Sequence, residues 1–406
     1  MSAIAAYRAL LRIVGPAYIL VAFLGRIPLA MSQLGVLVLV SSTTDRYGVG
    51  GAAAGILAIS NAIGSPIFGT LSDRFGQRPV VLVQSLLGAA GLAGIVVVTD
   101  PDASQGLIFA MAGLAGFVMP QVGPLARVRW RPITRDKDDQ RRLVDAAFSY
   151  EGAADEASFV LGPATIGVLA IIAEPAGALL AAAVLLAVFG SWFAIHPTSA
   201  LVARSATTGG AGQEPLWTGV FTVLLLAQLS IGMIFGSVQT GTTVLAEAAG
   251  QAGLAGLIHA VLGIGSVIAG LAVTGLPERV LYATRMAVAA VGLLVLASPL
   301  LLVDSLPSLI AVIGLLGFAV APYMISNFAL AGILVPVHRV SAAMTMLAGA
   351  TGIGYALGAA LAGRLADANG HTAAFAVTVS AAGFAVLIAL TSNKALREAV
   401  PVDQGY

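Results

Sequence analysis

Gly69-Thr70-Leu71-Ser72-Asp73-Arg74-Phe75-Gly76-Gln77-Arg78 gathers a carboxylate and two guanidinium groups into ten residues of a chain that is sparing with both. An apolar run over 50–71 leads into it, and after Pro79 another apolar run covers 79–99. A helix crossing a hydrocarbon core of ~30 Å needs about 20 apolar residues. Both flanks are long enough, so the polar stretch reads as the turn between two membrane-spanning helices. Such runs are too long and continuous for barrel strands, and only helices and closed barrels satisfy their backbones in lipid. The fold class is all-α and membrane-embedded.

The same pattern repeats outward in both directions. The spans read as 16–40, 50–71, 79–99, 104–126, 144–171 and 175–195, then 216–245, 251–274, 284–303, 307–332, 342–362 and 372–392. Composition agrees: 58% of the 406 residues are hydrophobic and 10% charged, with mean hydropathy +0.97. A soluble domain carries about 25% charged residues. With no Cys, disulfides and thiolate metal sites or nucleophiles are excluded. A net charge of +1 points to no polyanionic partner, nucleic acid included. Arg8 and Arg12 precede the first run, but 16–40 is too long for a signal-peptide core and reads as a retained span.

Lys and Arg set the orientation, since cytoplasmic loops collect them. With the N-terminus inside, 17 of the 20 basic residues fall in cytoplasmic connections, Arg46 and Arg364 fall outside, and Arg26 lies within a span. Both termini are then expected in the cytoplasm, with the protein multi-pass in the cytoplasmic (inner) membrane. Trp130, Trp192 and Trp217 all fall at cytoplasmic span ends, as an interfacial belt would have them. The stretch 127–142, seven basic and three acidic residues, reads as a cytoplasmic loop touching lipid headgroups. The Gly- and Ser-containing stretch 196–215 reads as a flexible linker. It divides the chain into an N-terminal half over 1–195 and a C-terminal half over 216–406, six spans each. An internal repeat supports this division: Leu71-Ser72-Asp73-Arg74 is echoed by Leu276-Pro277-Glu278-Arg279 and again by Gly363-Arg364-Leu365-Ala366-Asp367.

The Gly69–Arg78 stretch resembles the signature loop between helices two and three of the major facilitator superfamily, G-x-L-[AS]-D-R-x-G-[RK]-[RK]. Gly69, Leu71, Ser72, Asp73, Arg74, Gly76 and Arg78 match, and Gln77 departs from the pattern. The resemblance implies twelve helices in two pseudo-symmetric halves that alternate access to a central site. It also implies that Asp73 latches onto the second half when the cytoplasmic side is closed. Arg127, at the end of span four, is a candidate partner for this loop within its own half. Gly162-Pro163 with Gly167 partly resembles the antiporter motif of the same superfamily, with Ile166 in place of a Gly; apart from that likeness, Gly162 and Pro163 read as a helix kink. Many drug antiporters of the superfamily carry an Arg in the middle of helix four, and span four here has none before Arg127.

Charge inside the membrane is the main functional clue. Glu151, Asp155 and Glu156 lie deep in span five and Arg26 deep in span one, all near the midplane. Glu151 and Asp155 share a helical face, and Glu156 is turned about 100° away. A carboxylate at a helix centre costs on the order of 2.5–3.5 kcal/mol, so such groups pair, meet water or hold a proton. One Arg against three acids leaves two in excess. Asp155 is the expected proton carrier, alternating between Arg26 and a proton; the bland alternative is an Arg26–carboxylate tie between spans.

Gln33, Asn61, Gln121, Gln228, Gln239, Tyr323 and Asn327 are polar residues at depth, and Tyr355 joins them. By the resemblance, spans one, four, seven and ten line the cavity, which makes several of these candidate substrate contacts; each serves equally as interhelical glue. The four His fall in four segments, so no metal site is expected, and no nucleotide fingerprint appears. No enzyme chemistry and no cofactor beyond a proton gradient are expected. The expectation is a monomeric secondary transporter exporting a drug-like compound or metabolite by proton antiport. Alternatives are a proton-coupled uptake symporter and a non-transporting sensor or scaffold.

Overall fold

Uncharged apolar runs leave the backbone no partner but itself, so the chain coils wherever it enters lipid. The computed structural model describes residues 3–100, 104–202, 215–251, 254–277 and 279–400, and among these there is no strand. The helices are α1 (Ala3–Thr44), α2 (Tyr47–Phe75), α3 (Gln77–Val98), α4 (Gln105–Val118), α5 (Val122–Thr134), α6 (Gln140–Ile172), α7 (Glu174–Leu185) and α8 (Ser191–Ile195). After them come α9 (Gly219–Ala248), α10 (Ala255–Val273), α11 (Tyr282–Ala297), α12 (Leu306–Leu334) and α13 (Val340–Ala399). A π-helical turn over Leu186–Gly190 joins α7 to α8, so the two act as one rod. Among the described residues, eleven helical segments are long and apolar enough to cross a membrane.

Two of these bend at a glycine. Gly15 (φ 77, ψ 159) separates a short N-terminal arm, 3–14, from the rest of α1, with Pro16 resuming the helix. Gly370 (φ 70, ψ −166) divides the 60-residue α13 into arms over 340–369 and 371–399. Both sit at positive φ, where a side chain would be strained.

Two boundaries differ from the sequence reading. The span expected over 104–126 is interrupted: Pro120 cannot donate a backbone hydrogen bond, and α4 stops at Val118 before α5 resumes at Val122. The loop expected over 127–142 is largely helix, because α5 runs on to Thr134 and α6 begins at Gln140. Arg127, Arg129 and Trp130 are fully buried within α5 rather than facing headgroups. Most of the expected linker, 203–214, lies outside the described residues; Pro197–Leu201 forms a 3-10 turn.

The buried apolar side chains form separate cores. One joins α9 to α13 and borrows only Val128, Val144 and Phe148 from earlier helices; others are built wholly from α1 to α8. Within the first core, α9 and α13 approach so closely that a Cβ at Gly232 would stand 2.1 Å from Thr351 O, and one at Gly354 2.1 Å from Leu229 O. Small residues are what permit such backbone approach in lipid. Between the two bodies, α2 packs on α13 and α6 packs on α10 and α12.

Candidate functional site

The charges of span five are not isolated. On α6, Glu151 and Asp155 lie one turn apart and point at α1 and α5. Arg26 of α1 pairs with Glu151 through Nη2 and with Asp155 through Nη1 at 2.9 Å. Arg127 of α5 takes the other Asp155 oxygen at 2.7 Å. The remaining Glu151 oxygen accepts from Trp130 Nε1 at 2.7 Å. The result is two guanidinium groups and two carboxylates, nearly all buried, with each carboxylate oxygen bonded. Buried charges persist in this way, since removing one partner strands another at a cost of about 3–5 kcal/mol.

Arg127 corrects the sequence reading twice over. It partners Asp155 and not the Asp73 loop, and it lowers the uncompensated acids from two to one. That one is Glu156. It is buried and faces α10, with Oε2 3.9 Å from where a Cβ at Gly263 would stand. Among the described residues no cation pairs with it. Arg127 also lies over the ring of Phe328, 4.3 Å from its centroid. Phe328 belongs to α12, so the cluster within one body is capped by an aromatic side chain of the other.

The sequence motif is built as a joint between the bodies. Asp73, at the end of α2, accepts from the backbone N–H of Ser341 at 2.9 Å and of Ala342 at 2.8 Å, the first turn of α13. It thereby caps donors a helix N-terminus leaves unbonded, and its charge meets the positive end of the helix dipole. Gly69 makes room: a Cβ there would fall 2.0 Å from Thr345 Oγ1 and 2.9 Å from Ala342 Cα. Gly76 (φ 89) forms the turn into α3. Arg74 and Arg78 are exposed. Gln77, the departure from the motif, is buried; it accepts from Arg129 Nε at 2.8 Å and donates to Leu125 O at 3.2 Å, tying the loop to α5.

Against solved structures the chain aligns over nearly its whole length. The human organic anion transporter MFSD10 (TETRAN) superposes with a TM-score of 0.71 at 18% identity, over 93% of this chain and 98% of that one. A bacterial homologue of the iron transporter ferroportin, in an outward-facing state with soaked iron, gives 0.70 at 14% identity over 92% and 98%. The nucleoside transporter NupG, in a mutant form, gives 0.58 at 17% over 93% and 98%. The chain has the major facilitator fold. Identities this low carry the fold and leave the cargo open, and all three of these structures are transporters rather than enzymes. No protein-family model and no curated protein matches the sequence.

Within the major facilitator fold the remaining candidates divide by environment. Asn61, on α2, donates to Gly116 O and Met119 O and accepts from Gln121, which also reaches Ser65. These bonds stitch the interruption between α4 and α5 to α2. Asn327 donates to Gln228 and Leu224 O, and Tyr323 to Ala227 O, joining α12 to α9. Gln33 and Gln239 are exposed, and Gln239 accepts from Tyr355 at 2.5 Å. Helix α6 runs through Pro163 without a break, and Gly162 sits against the Ala30–Met31 backbone of α1.

The sequence reading missed a second joint. Asp145, at the start of α6, accepts from the Tyr282 hydroxyl and pairs with Arg285 at 3.3 Å, both on α11. Tyr7, on the arm before Gly15, donates to Leu271 O at 3.0 Å and lies 2.7 Å from Thr274 Oγ1, at the end of α10. These residues look like ordinary interfacial charges and aromatics in the sequence. The usable signal was Asp145 directly following an apolar pair, inside rather than before the span. Trp130, read as a belt residue, is instead the donor to Glu151.

Proposed function

We propose that this chain is a proton-coupled secondary transporter that exports a small organic molecule across the cytoplasmic membrane. Counting the arms of α13 as two crossings gives twelve helices, six in each half over 1–195 and 216–406, with both termini inside and the protein working as a monomer. The halves rock about a central site. The state described is closed at the basic, cytoplasmic end, where Asp73, Asp145 and Tyr7 each reach from the first half to the second.

The observation that carries the reading is Arg127. It holds Asp155 at 2.7 Å while its other face is covered by Phe328 from the opposite half. Rocking the halves withdraws Phe328 and wets Arg127. Water then competes for the guanidinium, and Asp155 is left with Arg26 as its remaining cationic partner, which eases its protonation. Opening and protonation are thus linked through one side chain, as coupled transport requires: each event must shift the equilibrium of the other. Gln33, Gln239 and Tyr355, polar and at least partly accessible at depth, are the first candidates for substrate contact.

Everted membrane vesicles with an acid interior should accumulate at least one compound from a panel of radiolabelled drugs and metabolites. Collapsing the pH gradient should abolish that accumulation, and Asp155→Asn should do the same while leaving counterflow exchange measurable. Flux driven only by the opposite gradient refutes export. Gradient-driven flux undiminished in Asp155→Asn and Glu151→Gln refutes the coupling role of α6.

A further inference from the structure

Where α11 begins and α13 ends, the surface holds a pocket of about 780 Å³. Arg279, Thr284, Lys394 and Arg397 line it, and Glu398 is the one carboxylate among the described residues of its wall. Three cations against one anion leave an excess of two positive charges. That excess is not neutralised within the fold. Arg279 and Arg397 make no hydrogen bond or ion pair among the described residues, and neither does the Thr284 hydroxyl. Lys394 stands 3.8 Å from Glu398 with both side chains largely exposed, and a pair so wet is weak.

The backbone carrying these groups is held in place. Arg285 donates to Val280 O at 2.9 Å and to Pro277 O at 3.3 Å, which braces the turn bearing Arg279. Asn393 donates to Ala283 O at 3.0 Å, fixing the last turns of α13 against the start of α11. The pocket also continues onto lipid-facing surface. Along α11, Val288, Val291 and Val295 follow Thr284 at i+4, i+7 and i+11, so they share its face, and all three are exposed. Along α13, Leu390 and Leu387 precede Lys394 by four and seven positions and are exposed too. The two helices are in contact, so a pair of apolar stripes runs from the basic pocket toward the bilayer interior.

We propose that this pocket binds an anionic phospholipid, its phosphate held by Arg279, Lys394 and Arg397 and its acyl chains lying along the stripes of α11 and α13. Basic recesses between spanning helices take such head groups. Guanidinium groups grip phosphate through two parallel N–H donors, and the Thr284 hydroxyl supplies one more. A choline lipid brings its own cation and gains less from the excess charge. A soluble phosphate could use the cations but has nothing to lay along the stripes. The site is separate from the Arg26–Asp155 cluster, so it stands whether or not the chain couples transport to protons.

Photo-crosslinking in proteoliposomes of the full chain tests this. Phosphatidylglycerol and phosphatidylcholine, each carrying the same diazirine-bearing acyl chain, are added in trace amounts to dioleoylphosphatidylcholine vesicles. Labelling of α11 and of 383–399 should favour the glycerol lipid, by more than on any other helix. Each basic side chain at a membrane surface contributes about fivefold, so Arg279→Gln with Arg397→Gln should cut that preference by up to about 30-fold. Arg8→Gln with Arg12→Gln removes the same charge from an exposed part of α1 and should leave it unchanged. In wild-type protein the preference should fall in about 1 M salt, a readout that does not depend on a variant folding. A preference no larger at these helices than elsewhere, one untouched by the Arg279 and Arg397 changes, one reduced equally by the Arg8 and Arg12 changes, or one indifferent to salt overturns the proposal. Displacement of the label by millimolar glycerol phosphate overturns the lipid assignment and gives the pocket to a free phosphate.

Discussion

Asp73→Asn should loosen the closure at the α2–α13 joint by an amount that the local bonding sets. The native carboxylate accepts two backbone N–H groups, from Ser341 and Ala342, at 2.9 and 2.8 Å. Asparagine keeps one oxygen and turns an NH₂ toward the other donor. One hydrogen bond to a charged group is lost, worth about 1.5–3 kcal/mol, together with about 0.3–1 kcal/mol of attraction to the helix N-terminus. Relaxation of the remaining bond offsets part of this, leaving about 2–3 kcal/mol in favour of opening, or about 30- to 150-fold in the open population. The absence of Cys makes the readout clean. Ser149 is fully buried on α6 where that helix meets α10, its carbonyl oxygen 3.9 Å from the Cβ position of Gly270. A thiol placed there by Ser149→Cys is isosteric and reacts with a maleimide only when the halves part at this end. Labelling should accelerate by about that factor in Asp73→Asn. A change below about threefold would refute the latch and leave the loop as a topology signal only.

Two further outcomes follow from other parts of the fold. Gly354→Ala drives a Cβ to 2.1 Å from Leu229 O and should lower Tm by an overpacking cost of about 1–3 kcal/mol, whereas Gly363→Ala, with nothing within 4 Å, should leave Tm unchanged or slightly raised; equal effects would refute the close α9–α13 packing. His196 follows the pH. Partial burial, and secondarily the charge of Arg129, holds its imidazole below the ordinary value. Its stabilising contribution is therefore complete above about pH 6.5 and is lost as pH falls, because the unfolded chain protonates first. Between pH 8 and 5.5, Tm should fall less in His196→Asn than in wild type, and an identical fall would refute it.

What could be read from residues alone depended on how local the physics was. Span lengths and the turn at Asp73 follow from apolar run length and a short motif, and the helices lie where those runs are. The pairing of Arg26 with the α6 acids was legible from matching depth, since depth is fixed by 1.5 Å per residue. Arg127 was not legible as a cluster member. It opens a run of basic residues that looks like a loop, whereas in the fold α5 carries it to within 2.7 Å of Asp155. Asn61 and Gln121 show the same effect: as sequence they are polar residues in a membrane, and in the fold they satisfy backbone exposed by the interruption between α4 and α5. The Asp145–Tyr282–Arg285 joint depends on two helices from different halves meeting end to end, which no local pattern encodes.

The hydroxyl of Tyr7 bonds to Leu271 O across 264 positions of sequence. During synthesis the arm before Gly15 is made before its docking site on α10. Its buried face, Ala6 and Leu10, belongs to a core built from α1, α3, α5, α6 and α8, and Gly15 separates it from the rest of α1. Docking of Tyr7 thus reports that α10 has been inserted and that the halves have met. The arm before Gly15 takes its place only after a helix made later than itself.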